Sequence, residues 1–165
     1  MDAKREMLRH ELAAIAYRTR KALRDAPAEF GDLRVAAGVR TPRELLRHMS
    51  GVLGYARTFF TGGTYRPAPL ATLEEELERL HELLASLSEH FAADSFERMS
   101  PEAFLQGPLS DAMTHAGQLA MLRRLAGSPV PPENFLFADI DADNVGPNQP
   151  DPVAPDDEWH TPDGR

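Results

Sequence analysis

Three side chains from two separated stretches have the types and spacing that metal chemistry needs. Asp111 and His115 stand four residues apart in a segment that reads as a helix, so both project from one side of it. His48 lies in the middle of another helical segment, at the edge of its apolar stripe beside Val52 and Phe59. Asp111 and His115 flank their own helix's apolar sector, near Leu119 and Leu122. If the two edges face each other, two imidazoles and a carboxylate converge at a partly covered pocket. Such a set binds zinc, nickel or ferrous iron and leaves coordination positions open for water or substrate. Gln118, seven residues after Asp111, projects from nearly the same side, where it fits either a partner that orients a ligand or a surface Gln making backbone or solvent contacts. An Asp and a His four apart also make an ordinary surface pair, and spacing alone leaves both readings open. No catalytic residue is assigned beyond the metal ligands.

Other polar residues fit plainer roles. His10 points away from the first helix's apolar face, His81 and His90 flank a leucine stripe, and His160 lies near the C-terminus. Each reads as a solvated surface histidine. Arg123 and Arg124 diverge by about 100° on a helix, and arginines in a last turn are favoured by the helix dipole. Asp139, Asp141 and Asp143 have the spacing of a calcium loop, but Asn144 and Pro150 stand where Gly and a bidentate Glu are required. The chain has no cysteine, which excludes disulfides, thiolate zinc sites and a protein-borne nucleophilic thiol.

The elements that must position these residues are helices. Leu8, Leu12, Ile15, Thr19 and Ala22 form one face of a first helix ending near Asp25, followed by a loop over 26–40. Thr41, Pro42 and Glu44 spell a capping box that opens a second, with Leu45, Met49, Val52, Ala56 and Phe59 as its stripe and Gly62-Gly63 as its stop. Thr72 and Glu75 open a third, whose stripe is Leu73, Leu77, Leu80, Leu84, Leu87 and Phe91, with acids on the outside. Ser100-Pro101 starts a short turn that Gly107-Pro108 interrupts. The fourth long helix spans about Leu109 to Ala126 and is apolar round much of its circumference, so it is expected at the centre. Four such helices make an all-α four-helix bundle the expected architecture.

His48 within RELLRHMSGVLGYARTFF, then Asp111-Ala-Met-Thr-His115-Ala-Gly-Gln118-Leu followed by LRRLAG, resembles the DinB-like superfamily (DinB/YfiT-like metalloenzymes). The resemblance covers most of residues 1–127 and is most specific around His115-Ala-Gly-Gln-Leu. It implies a four-helix bundle, a homodimer, and a divalent metal held by one His of the second helix and a His-x-x-x-His pair of the last. His48 and His115 take ligand positions directly, while Asp111 stands where the family usually has His. A carboxylate is a legitimate, harder ligand, but it equally fits a member whose site has decayed. The implied activity is thiol-dependent S-transfer, with a low-molecular-weight thiol cosubstrate, or hydrolysis of a small-molecule substrate. The alternative is a non-enzymatic helical bundle that binds a ligand or partner.

Charge divides the chain. Of 165 residues with a net charge of −8, residues 1–127 carry equal numbers of acids and bases. Residues 128–165 hold nine acids, one base (Arg165) and eight of the fourteen prolines. The reading is a bundle over 1–127 and an irregular acidic, Pro-rich extension over 128–165. Phe135, Leu136, Phe137 and Ile140 should pack its 130–148 portion onto the bundle or a second subunit, near the pocket mouth, with the remainder flexible unless Trp159 finds a groove. The acidity argues against nucleic acid as a partner. No apolar run is long enough for a membrane span or signal peptide, so a cytoplasmic location is expected.

Overall fold

A computed structural model describes residues 2–153. They are all-helical, with no β-strand among the described residues. Four long helices are α1 (Ala3–Leu23), α2 (Pro42–Thr61), α3 (Leu73–Ala93) and α5 (Ser110–Leu125), with the short α4 (Pro101–Phe104) leading into α5. Helices α1 and α2 each pack against both α3 and α5. His160 and Trp159 lie outside the described residues.

Local chemistry sets the helix starts. Thr41 accepts from the Glu44 N–H while the Glu44 carboxylate accepts from the Thr41 N–H, and Thr72 and Glu75 repeat the exchange at α3. Each box satisfies N–H groups that no helical turn can reach. At the end of α2 the chain turns through Gly62, whose φ of 73° suits glycine.

The core is built from one face of each long helix: Leu12 and Ile15, Leu46 and Leu53, Leu80 and Leu84, and Leu119 are fully buried. Each such side chain contributes about 1.5–3 kcal/mol by leaving water. In α2 the buried line runs through Leu46 and Leu53 as well as Leu45, Met49 and Ala56, whereas the expected Val52 and Phe59 are only half-buried. The sector is wide because α2 packs on two neighbours. Tyr65 fixes the following connector: its ring would lie 2.0 Å from a Cβ at position 54, so Gly54 alone fits.

Three other expectations are corrected. Gly107-Pro108 does not break the helical path. Leu105–Leu109 forms a π turn, and the Ser110 hydroxyl donates to the Leu105 carbonyl at 2.7 Å, so the chain passes a residue lacking an N–H without unravelling. Helix α5 is not central, since Met121 and Leu125 are exposed on its outer face. The acids of α3 are not all outside: Glu76 is fully buried, accepting from the Leu70 N–H at 2.9 Å and pairing with Arg79.

The extension over 128–153 lies along α1. Glu133 is buried, accepting from the Tyr17 hydroxyl at 2.6 Å and pairing with Lys21 at 3.0 Å. Asp143 pairs with Arg9, and Asp151 with Arg24. Phe135 packs edge-on against Tyr17 and beneath Arg18. Leu136 and Phe137, expected to pack inward, are exposed, because the single 3-10 turn at Phe135–Phe137 can direct only one of the three apolar side chains inward. Arg123 is also buried, donating to the carbonyls of Ala22, Arg24 and Ser128 and so latching the end of α5 to the end of α1.

Candidate metal centre

The buried face of α5 runs through Ala112, Ala116 and Leu119. A step of about 100° per residue puts His115 at the boundary of that face and Asp111 on the rim. On α2, Leu45 and Met49 are buried and carry His48 between them to the edge that faces α5. The three residues meet. Their ligand atoms all lie within 4.8 Å of one another, the only group of three or more potential ligands found among the described residues. His115 Nε2 is 3.4 Å from one Asp111 oxygen and His48 Nε2 is 4.0 Å from the other. The imidazole rings sit 4.7 Å apart, nearly perpendicular.

Burial is graded across the site. The side chain of His115 is 9% exposed, His48 33% and Asp111 47%. One edge is therefore sheltered and the other open. His115 Nδ1 meets Gln118 Oε1 at 2.8 Å, a contact in which the ring N–H donates to the amide oxygen. In the neutral ring that contact leaves Nε2 the lone pair, on the side of Asp111 at 3.4 Å, and this buried nitrogen has no hydrogen-bond partner. Burial pushes the His48 pKa below its ordinary value, with Arg40 and His115 adding to the effect and Asp111 opposing it. His48 is therefore a neutral imidazole at neutral pH, as a metal ligand must be.

These residues fit a divalent ion. Donors that share an ion through bonds of about 2.0–2.2 Å stand roughly 3–4 Å apart. The two contacts to Asp111 are in that range, and the widest pair asks for an adjustment of about an ångström. The group can hold a metal ion, and its donors of two nitrogens and one oxygen suit zinc, nickel or ferrous iron.

Beside the triad lies a cleft of about 780 Å³. Helix α2 lines it with Gly51, Val52 and Tyr55, the π turn with Gln106 and Pro108, and α5 with Ser110 and Thr114. None of the described extension residues lines it. Tyr55 stands seven residues after His48 and Thr114 three after Asp111, so the helical spacing that finds the ligands also finds these walls. The π turn's contribution carried no such signal, because its register differs from that of an α-helix.

The remaining histidines fare differently. His10 is exposed, as expected. His81 is buried on α3 with its Nε2 unpartnered, and burial chiefly, then Arg20, lowers its pKa to about 4. It sits four residues after Leu77 and three before Leu84, on the buried face and not beside it. His90 stacks on Phe60 at 4.9 Å and meets Asp94 at 2.6 Å, so it too is packed and not free in solvent.

No helix among the described residues is long and apolar enough to cross a membrane. No family model, curated protein or solved structure matches the chain.

Proposed function

We propose that the protein is a DinB-like metal-binding four-helix bundle that uses a divalent ion on His48, Asp111 and His115 for S-transfer or hydrolysis of a small molecule. The observation that carries the reading is the buried, unpartnered Nε2 of His115, grouped with the Asp111 carboxylate and the His48 imidazole. A buried polar atom without a partner costs on the order of 1–3 kcal/mol, and an ion at that point would remove the penalty. When bound, the ion supplies a Lewis acid that lowers the pKa of water or of a thiol. Gln118 holds the His115 ring in the tautomer that offers Nε2. Asp111, on the open rim, holds the one negative charge of the ligand set. His48 stands on the cleft side of the group, where Val52 and Tyr55 of the same helix line the cleft beside it. The same resemblance makes the protein a homodimer, which sedimentation velocity tests directly.

The central experiment is metal analysis of untagged protein. Near-stoichiometric zinc, nickel or iron is expected, lost in His48→Ala and in His115→Ala, with chelation lowering the melting temperature. Metal-free protein whose stability is indifferent to added metal and to chelator would refute the reading and leave a bundle with a decayed site.

A further inference from the structure

We infer that the cleft beside the triad selects a neutral molecule, whose flat apolar body lies on Tyr55 and Val52 while one polar head reaches the metal centre. The inference rests on the metal reading above and adds the class of ligand. Helix α2 presents His48, Val52 and Tyr55 at spacings of four and three, so the ring of Tyr55 stands in file with the ligand two turns before it. Tyr55 is 58% exposed, and its inner edge is held by Phe59 at a ring distance of 5.2 Å. An aromatic ring kept in place and left open to solvent on its other side is a platform for a planar partner.

The opposite wall offers little charge. The Ser110 and Thr114 hydroxyls already donate to the backbone carbonyls of Leu105 and Ser110, at 2.7 and 2.9 Å. They face the cleft as acceptors, which would repel an anion. Among the described lining residues there is no Lys or Arg, and the only charged side chain is Asp111 unless His48 is protonated. Arg40 influences His48 but lines a different groove, beside Val39 and Met121. One carboxylate against a divalent ion leaves a single positive charge at the head of the site. That charge accepts one ionised donor atom, and no residue lining the cleft supplies a cation for a second anionic group. A phosphorylated or polycarboxylate substrate finds no counter-charge among the residues lining the cleft, whereas an aromatic or other flat neutral body does have a surface.

Hydroxamates test this, because they place the same head on different bodies. Zinc content of the full-length protein is measured first, in wild type, Tyr55→Ala and Tyr55→Phe. Acetohydroxamate, benzohydroxamate and 4-carboxybenzohydroxamate are then titrated by calorimetry into zinc-loaded protein. Benzohydroxamate is expected to bind about tenfold more tightly than acetohydroxamate, the order expected of one stacked ring and its burial. Tyr55→Ala should abolish that advantage without changing acetohydroxamate affinity or zinc content, and Tyr55→Phe should keep it. The carboxylated probe should bind no better than benzohydroxamate. Equal affinities for the first two probes, an advantage that survives Tyr55→Ala, or tighter binding of the carboxylated probe each overturn the inference while leaving the metal reading intact. Failure to bind zinc at all overturns both.

Discussion

The contact between Gln118 and His115 gives the most discriminating test of the site, because it separates a tuned metal ligand from a surface histidine that happens to have neighbours. Gln118 is exposed, and its amide oxygen meets His115 Nδ1 at 2.8 Å across three residues of α5. Gln118→Leu keeps volume and helix propensity but removes the acceptor. In metal-free protein the loss is one solvent-accessible hydrogen bond, worth about 1 kcal/mol or less. For a ligating imidazole the partner on the far nitrogen fixes both tautomer and ring orientation, and losing it costs about 10–100-fold in metal affinity. That ratio corresponds to about 1.4–2.7 kcal/mol, larger than the effect on folding. Gln118→Glu replaces the amide with a stronger acceptor and should bind zinc at least as well as wild type. Competition against a chromophoric chelator gives the affinities, and urea unfolding of metal-free protein gives the stabilities. Zinc affinity within about threefold of wild type in Gln118→Leu would sink the tautomer argument, since it falls short of the expected range.

Two further expectations concern the fold that holds the site. Glu133→Ala leaves Lys21 and the Tyr17 hydroxyl buried without their shared partner. It should cost about 3 kcal/mol in urea unfolding and expose residues 128–150 to limited proteolysis; a loss under about 1 kcal/mol would show that the pair is incidental. His81 must become charged when the chain unfolds in acid. Its folded pKa of about 4 lies below the ordinary 6.5, so the unfolded state binds the extra proton between those values. Stability from this group is therefore complete above about 6.5 and is lost as pH falls toward about 4. The gap, at about 1.36 kcal/mol per pH unit, is on the order of 3 kcal/mol. His81→Leu should flatten the pH dependence of unfolding over that window, and a slope equal to wild type would refute the assignment.

The helix starts and the pairing of Asp111 with His115 were legible because both depend on residues a few places apart. Thr41 with Glu44, Thr72 with Glu75, and Asp111 with His115 are all local patterns, and the structure has each of them in contact. What depends on a partner far along the chain was hidden. Glu76 is buried because a loop N–H at Leu70 and the Arg79 guanidinium meet it, and nothing in the α3 stripe announces either partner. His81 shares the line of Leu77 and Leu84, yet a histidine beside a run of leucines reads as an edge until it is known that α1 and α2 both cover α3. Arg123 looked like a dipole-stabilising residue of a last turn, whereas its donors serve carboxy-terminal carbonyls of α1 about a hundred residues away. Periodicity reports which face is apolar. It does not report how many neighbours that face will have, and the expected central position of α5 failed for that reason.

The distribution of charge acquires a structural meaning from the same contacts. Three of the five acids of the extension that lie among the described residues are tied to the bundle and do not stand apart as a polyanionic arm. Glu133, Asp143 and Asp151 meet Lys21, Arg9 and Arg24, three bases spread along α1. The extension thus works as a clamp along α1, with one buried pair at Glu133 and two more exposed ones of lesser individual worth. Helix α1 packs on α5, and Arg123 ties their ends together, so the clamp bears on the helix that carries Asp111 and His115. Its contribution to the site is therefore positional. No described residue of the extension lines the cleft itself, where Asp111, His48 and Tyr55 are the titratable lining residues and Arg40 acts on His48 from beside it.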